Sequence, residues 1–138
     1  MSKYSEIQTT FSDPDLLLSA LGTMGFKKVR NHVGDPQPLE GFRGDKRKDL
    51  ADIIIPRREV GSSSNDIGFS RGADGTFSLI VSDYDQARYG VQTKWHRDLK
   101  FNYAEQNILR AAKRQGLRAI HTGKKLDNGK VEYKFLKA

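Results

Sequence analysis

Residues 65–83 leave the chain few options. Phe77, Leu79 and Val81 alternate with Ser78, Ile80 and Ser82, the period of two that belongs to a strand with one apolar face. Upstream, Asp66-Ile67-Gly68-Phe69-Ser70-Arg71 has the composition of a second strand. Between them, Gly72-Ala73-Asp74-Gly75 supplies residues that tolerate positive φ, so the chain can reverse there. A hairpin at this point needs a partner layer, because two strands alone are marginal in water.

The flanking segments provide one. Ser5, Ile7, Thr9 and Phe11 alternate with polar residues and predict a half-buried strand. Asp13-Pro14 is a helix start: the carboxylate can accept from first-turn amides, and proline has no N–H to lose there. Leu17, Leu21 and Met24 share a face, with Leu18 beside them, and Gly25 ends the helix. Phe26 to Val29 leads into a strand. Residues 31–49 hold Gly34, Pro36, Pro38, Gly41 and Gly44 before the charged run Asp45-Lys46-Arg47-Lys48-Asp49, and they are expected to form a long surface loop. Ala51-Asp52-Ile53-Ile54-Ile55 predicts a central strand closed by Pro56, and Gly61-Ser62-Ser63-Ser64 a connector.

Residues 84–94 are expected as a second loop. A longer helix follows from about Trp95 to Gln115, with Phe101, Ala104, Ile108 and Ala111 or Ala112 as its buried stripe and Gly116 as its stop. Leu117 to His121 and Val131 to Phe135 predict a last hairpin around Asp127-Asn128-Gly129. Both helices run into a glycine and then a strand, which shared helix-to-strand grammar explains more simply than duplication. The expected architecture is therefore α+β: one domain over residues 1–138, a mostly antiparallel sheet, and two helices on one face.

Bulk properties narrow the chemistry. The chain has 138 residues, 36% hydrophobic and 30% charged, enough for one core. It has no cysteine, which removes disulfides, thiolate nucleophiles and cysteine metal sites and points to a reducing compartment. No apolar run approaches the roughly 20 residues that cross a bilayer, and the N-terminus lacks a signal-peptide core, so a cytoplasmic location without membrane contact is expected. The net charge of +7 attracts polyanions.

In the order of these elements the chain resembles a known family. Gly41-Phe42-Arg43-Gly44, Ala51-Asp52-Ile53-Ile54-Ile55, Asp66-Ile67-Gly68-Phe69, the aromatic before Leu79, Asp83 and the helix end Arg114-Gln115-Gly116 are similar to the hypothetical chloroplast reading frame family, number thirty-five, of cyanobacteria and algal plastids. Asp66-Ile67-Gly68-Phe69 and Ala51-Asp52-Ile53 are the most specific parts. The chain departs from that pattern around residues 34–39 and in the polar, basic segment 84–94. The resemblance implies a cytoplasmic or stromal domain of unknown function; it carries no activity, cofactor or site residues.

Candidate chemistry is sparse. Asp52, Asp66 and Asp83 sit near strand ends and would form a hard-cation or acid–base site only if they converged; capping turns is the simpler role for them. His32, His96 and His121 lack a second ligand at helical spacing. Neither an elbow around Ser62 to Ser64 nor a phosphate loop at Gly123-Lys124-Lys125 has its required context. The basic groups are the better candidates: Arg43, Lys46, Arg47 and Lys48, then Arg57 and Arg58. Lys94, Arg97 and Lys100 surround Trp95 and Phe101, the latter expected in the core. The resulting expectation is a non-enzymatic binding module without a cofactor. Its partner is a macromolecule, protein first and nucleic acid second through the six named cations, with a carboxylate-based enzyme or metal site as the remote alternative.

Overall fold

The computed structural model describes residues 2–128 and 130–137, the side chains of His121 and Thr122 excepted. The opening strand β1 (Tyr4–Gln8) leads to α1 (Pro14–Thr23), whose start follows its sequence. Asp13 caps it, one carboxylate oxygen accepting from the amides of Asp15 (2.9 Å) and Leu16 (3.3 Å). Leu16, Leu17, Ala20 and Leu21 are buried. Gly25 takes φ +99° at the exit, a conformation that a side chain would strain.

The chain then makes β2 (Arg30–Asn31), β3 (Gln37–Glu40), β4 (Lys46–Ala51) and β5 (Ile53–Ile55). Here the structure corrects the expected 31–49 loop. Residues 37–51 are a β3–β4 hairpin with Gln37 opposite Ala51, Pro38 opposite Leu50 and Glu40 opposite Lys46. Its charged strand hid the alternation: Arg47, Asp49 and Ala51 turn inward while Lys46, Lys48 and Leu50 face outward.

A short α2 (Arg57–Val60) precedes the expected connector at residues 61–64, and β6 (Ile67–Arg71) and β7 (Phe77–Ser82) form the central hairpin. Gly68 pairs with Ile80 and Arg71 with Phe77. The segment 84–94, expected as a loop, holds the end of a 3₁₀ turn (Asp83–Asp85) and α3 (Gln86–Tyr89). The long helix α4 (Lys94–Arg114) precedes β8 (Leu117–Lys125) and β9 (Val131–Lys137). Of the expected Asp127-Asn128-Gly129 turn, Gly129 lies outside the described residues; the Lys130 amide donates to Asn128 Oδ1 at 3.0 Å.

The fold is α+β. Five strands make one sheet in the order β1-β7-β6-β5-β2, every pairing antiparallel. The β3–β4 and β8–β9 hairpins form separate two-stranded sheets. Ile53, Ile55, Ile67, Phe69, Phe77, Leu79 and Val81 point to one face, where Leu17, Ala20 and Leu21 of α1 and Leu99 of α4 cover them. Ile54 and Ile80 point to the other, beneath Leu39 and Ala51 of the β3–β4 hairpin. So β7, expected to have one apolar face, is buried on both.

The α4 stripe needs a second correction. Phe101 and Ile108 are 37% and 39% exposed, and Ala104 and Ala111 are exposed too. The buried positions are His96, Leu99 and Ala112, with half-buried Tyr103 packed against Phe11, ring centroids 4.7 Å apart and tilted by 41°. Polar residues continue this inner face. The Tyr103 hydroxyl accepts from the amides of Ser12 (3.2 Å) and Asp13 (3.0 Å), and Arg110 reaches Asp13 at 2.7 Å. Apolar periodicity therefore points to the wrong side. Among the described residues no helix is long and apolar enough to cross a membrane.

Candidate functional site

The three aspartates do not converge. In the β5–β6 register Ile53 faces Phe69 and Ile55 faces Ile67, so Asp52 and Asp66 stand at opposite ends of the pair. Asp52 is the corner where β4 turns into β5. Its two oxygens accept from the amides of Gly34 (3.3 Å) and Arg71 (2.8 Å). Asp83 is exposed, its amide donating to the Lys3 carbonyl.

Asp66 is a structural clasp. One oxygen accepts from the Arg57 amide at 2.7 Å, the other from the Glu40 amide at 2.8 Å, with Arg30 Nη2 at 3.5 Å. Burial raises its carboxyl above the ordinary carboxylate value, against the opposing pull of the two amides and Arg30. The Tyr4 hydroxyl donates to the Asp66 carbonyl at 2.8 Å, and its pKa is raised, first by burial and then by the charge of Asp66.

One buried acid escaped sequence reasoning. Asp85 is 4% exposed and accepts from Ser64 Oγ (2.7 Å), the Asn65 amide (3.1 Å) and Ser82 Oγ (3.1 Å). Asn65 carries this network outward: its Nδ2 donates to Ser82 Oγ at 2.9 Å, and its Oδ1 accepts from the Phe42 amide at 3.0 Å. The network pins the tip of the β3–β4 hairpin to the central hairpin. Nothing in the sequence sets Asp85 apart from Asp83, two residues earlier. Among the described residues no group of three or more metal-ligating side chains is placed to hold a cation.

The six expected cations divide into two kinds. Arg47 is engaged inward, its guanidinium 5.1 Å from the Tyr4 ring and hydrogen-bonded to the Ser2 carbonyl. Arg57 lies 3.7 Å from the Glu40 carboxylate. Arg43 covers the Phe42 ring at 5.3 Å on the exposed hairpin tip. Lys46, Lys48 and Arg58 are exposed. Two cations that the sequence did not single out, Lys28 and Arg30, join Arg57 and Arg58 around a cleft of about 410 Å³ above Glu40 and Asp66.

Two exposed apolar residues accompany these cations. Phe42 is 44% exposed at the tip, and Leu50, 46% exposed, follows Lys46 and Lys48 along the outer face of β4. Alternation puts Lys46, Lys48 and Leu50 in one row. The arrangement can bind a surface; it presents no paired acid and base and no activated nucleophile. A larger cleft of about 850 Å³ lies between the end of α1 and α2, α3 and α4. In it Trp95 packs edge-on against Tyr89 (5.2 Å) and Phe26 (6.3 Å).

No curated protein and no solved structure matches the chain. One protein family does: the model described as "Protein of unknown function (DUF1257)" matches residues 20–132, from within α1 to within β9. The match takes in the Asp66 clasp, the β3–β4 hairpin and both expected clusters of cations, and on its extent the chain belongs to the DUF1257 family.

Proposed function

We infer that this protein is a binding module rather than an enzyme, and that it engages an acidic protein surface through the outer face of the β3–β4 hairpin. The row Lys46, Lys48 and Leu50 carries the inference. Exposed Phe42 and Leu50 beside exposed Lys46 and Lys48 match the anatomy of a protein interface, apolar anchors within a charged rim. The hairpin is a firm platform, since Asp66 and Asn65 hold its backbone amides. Arg43 extends the positive rim at the tip.

Within DUF1257 we place the chain with the chloroplast reading frame group, number thirty-five, of cyanobacteria and algal plastids. Asp66-Ile67-Gly68-Phe69 and Ala51-Asp52-Ile53 support that placement. It implies the cytoplasm or plastid stroma as the site of action.

A photo-crosslinking residue at position 50, introduced into the full chain and irradiated in native extract, tests the reading. The expected result is a trapped acidic protein that survives nuclease and is absent when the same residue replaces Ile108 on α4. Trapping at both positions, or a product that nuclease removes, overturns it.

A further inference from the structure

The charge of this chain is not spread evenly. Residues 117–137 carry six cations (Arg118, Lys124, Lys125, Lys130, Lys134 and Lys137) against Asp127 and Glu132, which puts +4 of the net +7 on the β8–β9 ribbon. The ribbon stands apart from the five-stranded sheet. Leu117, Ala119, Tyr133 and Phe135 are half-buried on its inner side. There the Tyr133 hydroxyl donates to Glu105 of α4 at 3.2 Å. A β-carbon on Gly123 would meet Glu105 Oε2 at 2.7 Å and Phe101 Cζ at 3.4 Å, so the ribbon lies close on the helix.

The outer side is open. Arg118 faces Leu136 across the ribbon, Lys134 shares that side two residues from Leu136, and Lys124 stands there opposite Glu132, while exposed Ile120 lies at the break in register between Ala119 and His121. Ile120 is 58% and Leu136 47% exposed. Lysines do guard bare strand edges against pairing, but guarding an edge does not account for two exposed aliphatic side chains beside Arg118 and Lys134.

We propose that the outer face of the β8–β9 ribbon is a docking surface for duplex DNA, laid along or into the major groove. Three observations favour this over a point anion or an acidic protein. First, the outer cations Arg118, Lys134 and Lys124 are spaced along the ribbon from its start to its far end, as a row of phosphates requires, instead of converging on one spot, with Glu132 as the acid on that side. Second, β8 and β9 span nine and seven residues; at ~3.3 Å per residue that is roughly 23–30 Å, most of one turn of duplex, and a two-stranded ribbon fits the ~12 Å major groove. Third, Ile120 and Leu136 are the kind of side chain that contacts base methyls and sugar edges once phosphates hold the ribbon in place. The last turn of α4 adds Lys113 and Arg114 just before the ribbon. This surface is distinct from the β3–β4 face, so the two inferences stand or fall separately.

Fluorescence anisotropy of a labelled 24-base-pair duplex, titrated with the full chain, tests the proposal. With about three phosphates neutralised, affinity is expected to fall about 40-fold between about 50 and 200 mM KCl. Arg118→Glu/Lys124→Glu/Lys134→Glu is expected to weaken binding more than tenfold and flatten the salt slope. Lys46→Glu/Lys48→Glu, on the other hairpin, is expected to change it less than threefold. The neutral set Arg118→Gln/Lys124→Gln/Lys134→Gln, checked by circular dichroism, gives the same ranking if the reversed charges disturb folding. No binding at low salt overturns the proposal. So do equal losses from both hairpins, which would mark a response to overall charge, and binding of polyglutamate in preference to the duplex.

Discussion

Gly68 lies face to face with Ala51. A β-carbon on Gly68 would stand 2.5 Å from that of Ala51 and 2.9 Å from Leu39 Cδ2, far inside van der Waals contact. The glycine is not there for its turn-forming freedom, since it sits mid-strand in β6. It is the low point of the sheet over which the β3–β4 hairpin closes. Gly68→Ala is therefore expected to cost about 1–3 kcal/mol by overpacking, and Gly68→Val more. Urea denaturation measures it. Ala51→Gly in the Gly68→Ala background is expected to recover part of the loss; an unchanged loss in the double variant would mean the contact is not the cause.

The residue two places earlier fixes the same hairpin by polar means. Both Asp66 oxygens accept from backbone amides, those of Arg57 and Glu40. Asparagine offers one acceptor and would turn an NH₂ toward the other amide. Asp66→Asn is expected to cost about 1–3 kcal/mol, the penalty of leaving a buried amide unpaired. Hydrogen exchange locates the damage: the Glu40 or Arg57 amide should lose protection while the β6–β7 ladder keeps its own.

These two residues also show how far the sequence could be read. Asp66-Ile67-Gly68-Phe69 was visible as the start of a hairpin, because alternation and a glycine-rich turn are local signals. That Asp66 would clasp Glu40, and Gly68 meet Ala51, depends on where a second hairpin lands. That hairpin was hidden, because Lys46-Arg47-Lys48-Asp49 is charged on both faces. Arg47 faces inward yet stays compatible with charge by lying on the Tyr4 ring. The basic residues were legible as a set, but their division into engaged and exposed was not, and Lys28 and Arg30 reach the cleft from a segment with no motif.

Asp13 joins two elements with one side chain. Its Oδ1 caps α1, and its Oδ2 accepts from Arg110 Nη1 of α4 at 2.7 Å. Asp13→Ala loses both and is expected to cost about 1–2 kcal/mol. Arg110→Ala loses only the half-exposed ion pair, worth about 0–1 kcal/mol. Burial is the largest single influence on the Asp13 carboxyl and pushes it up, but Arg110 and the amides of Leu16 and Asp15 together hold it below 3.8. A lowered acid contributes stability above its unfolded pKa and loses it as pH falls through the folded one. The gap between wild type and Asp13→Ala in thermal melts should therefore narrow below about pH 4.

His96 acts in a higher window. It is 5% exposed on the inner side of α4. Burial, and secondarily the charge of Lys100, lower its pKa below 6.5. The folded state thus holds the neutral ring, while the unfolded chain takes up a proton more readily. Its contribution to stability is complete above about pH 6.5 and declines as pH falls toward the folded pKa. His96→Leu is expected to flatten the loss of stability between about pH 7 and 5; an identical slope in the variant would rule the histidine out as its source.

The two faces of α4 give the sharpest contrast between pattern and packing. Apolar spacing selects Phe101, Ala104 and Ile108, yet Leu99 is the fully buried aliphatic residue of the helix and Ile108 is 39% exposed. The spacing misleads because the inner face carries His96, Tyr103 and Arg110, each polar at its tip: the Tyr103 hydroxyl accepts from the amides of Ser12 and Asp13, and Arg110 donates to Asp13. Phe101 instead meets the β8–β9 ribbon near Gly123. Leu99→Ala should therefore open a cavity beneath the sheet and cost about 2–5 kcal/mol. Ile108→Ala, at a site water already reaches, should cost well under about 1 kcal/mol. Denaturant midpoints of the two variants decide the matter: comparable losses would place Ile108 in the core, and with it the side of α4 that faces the sheet.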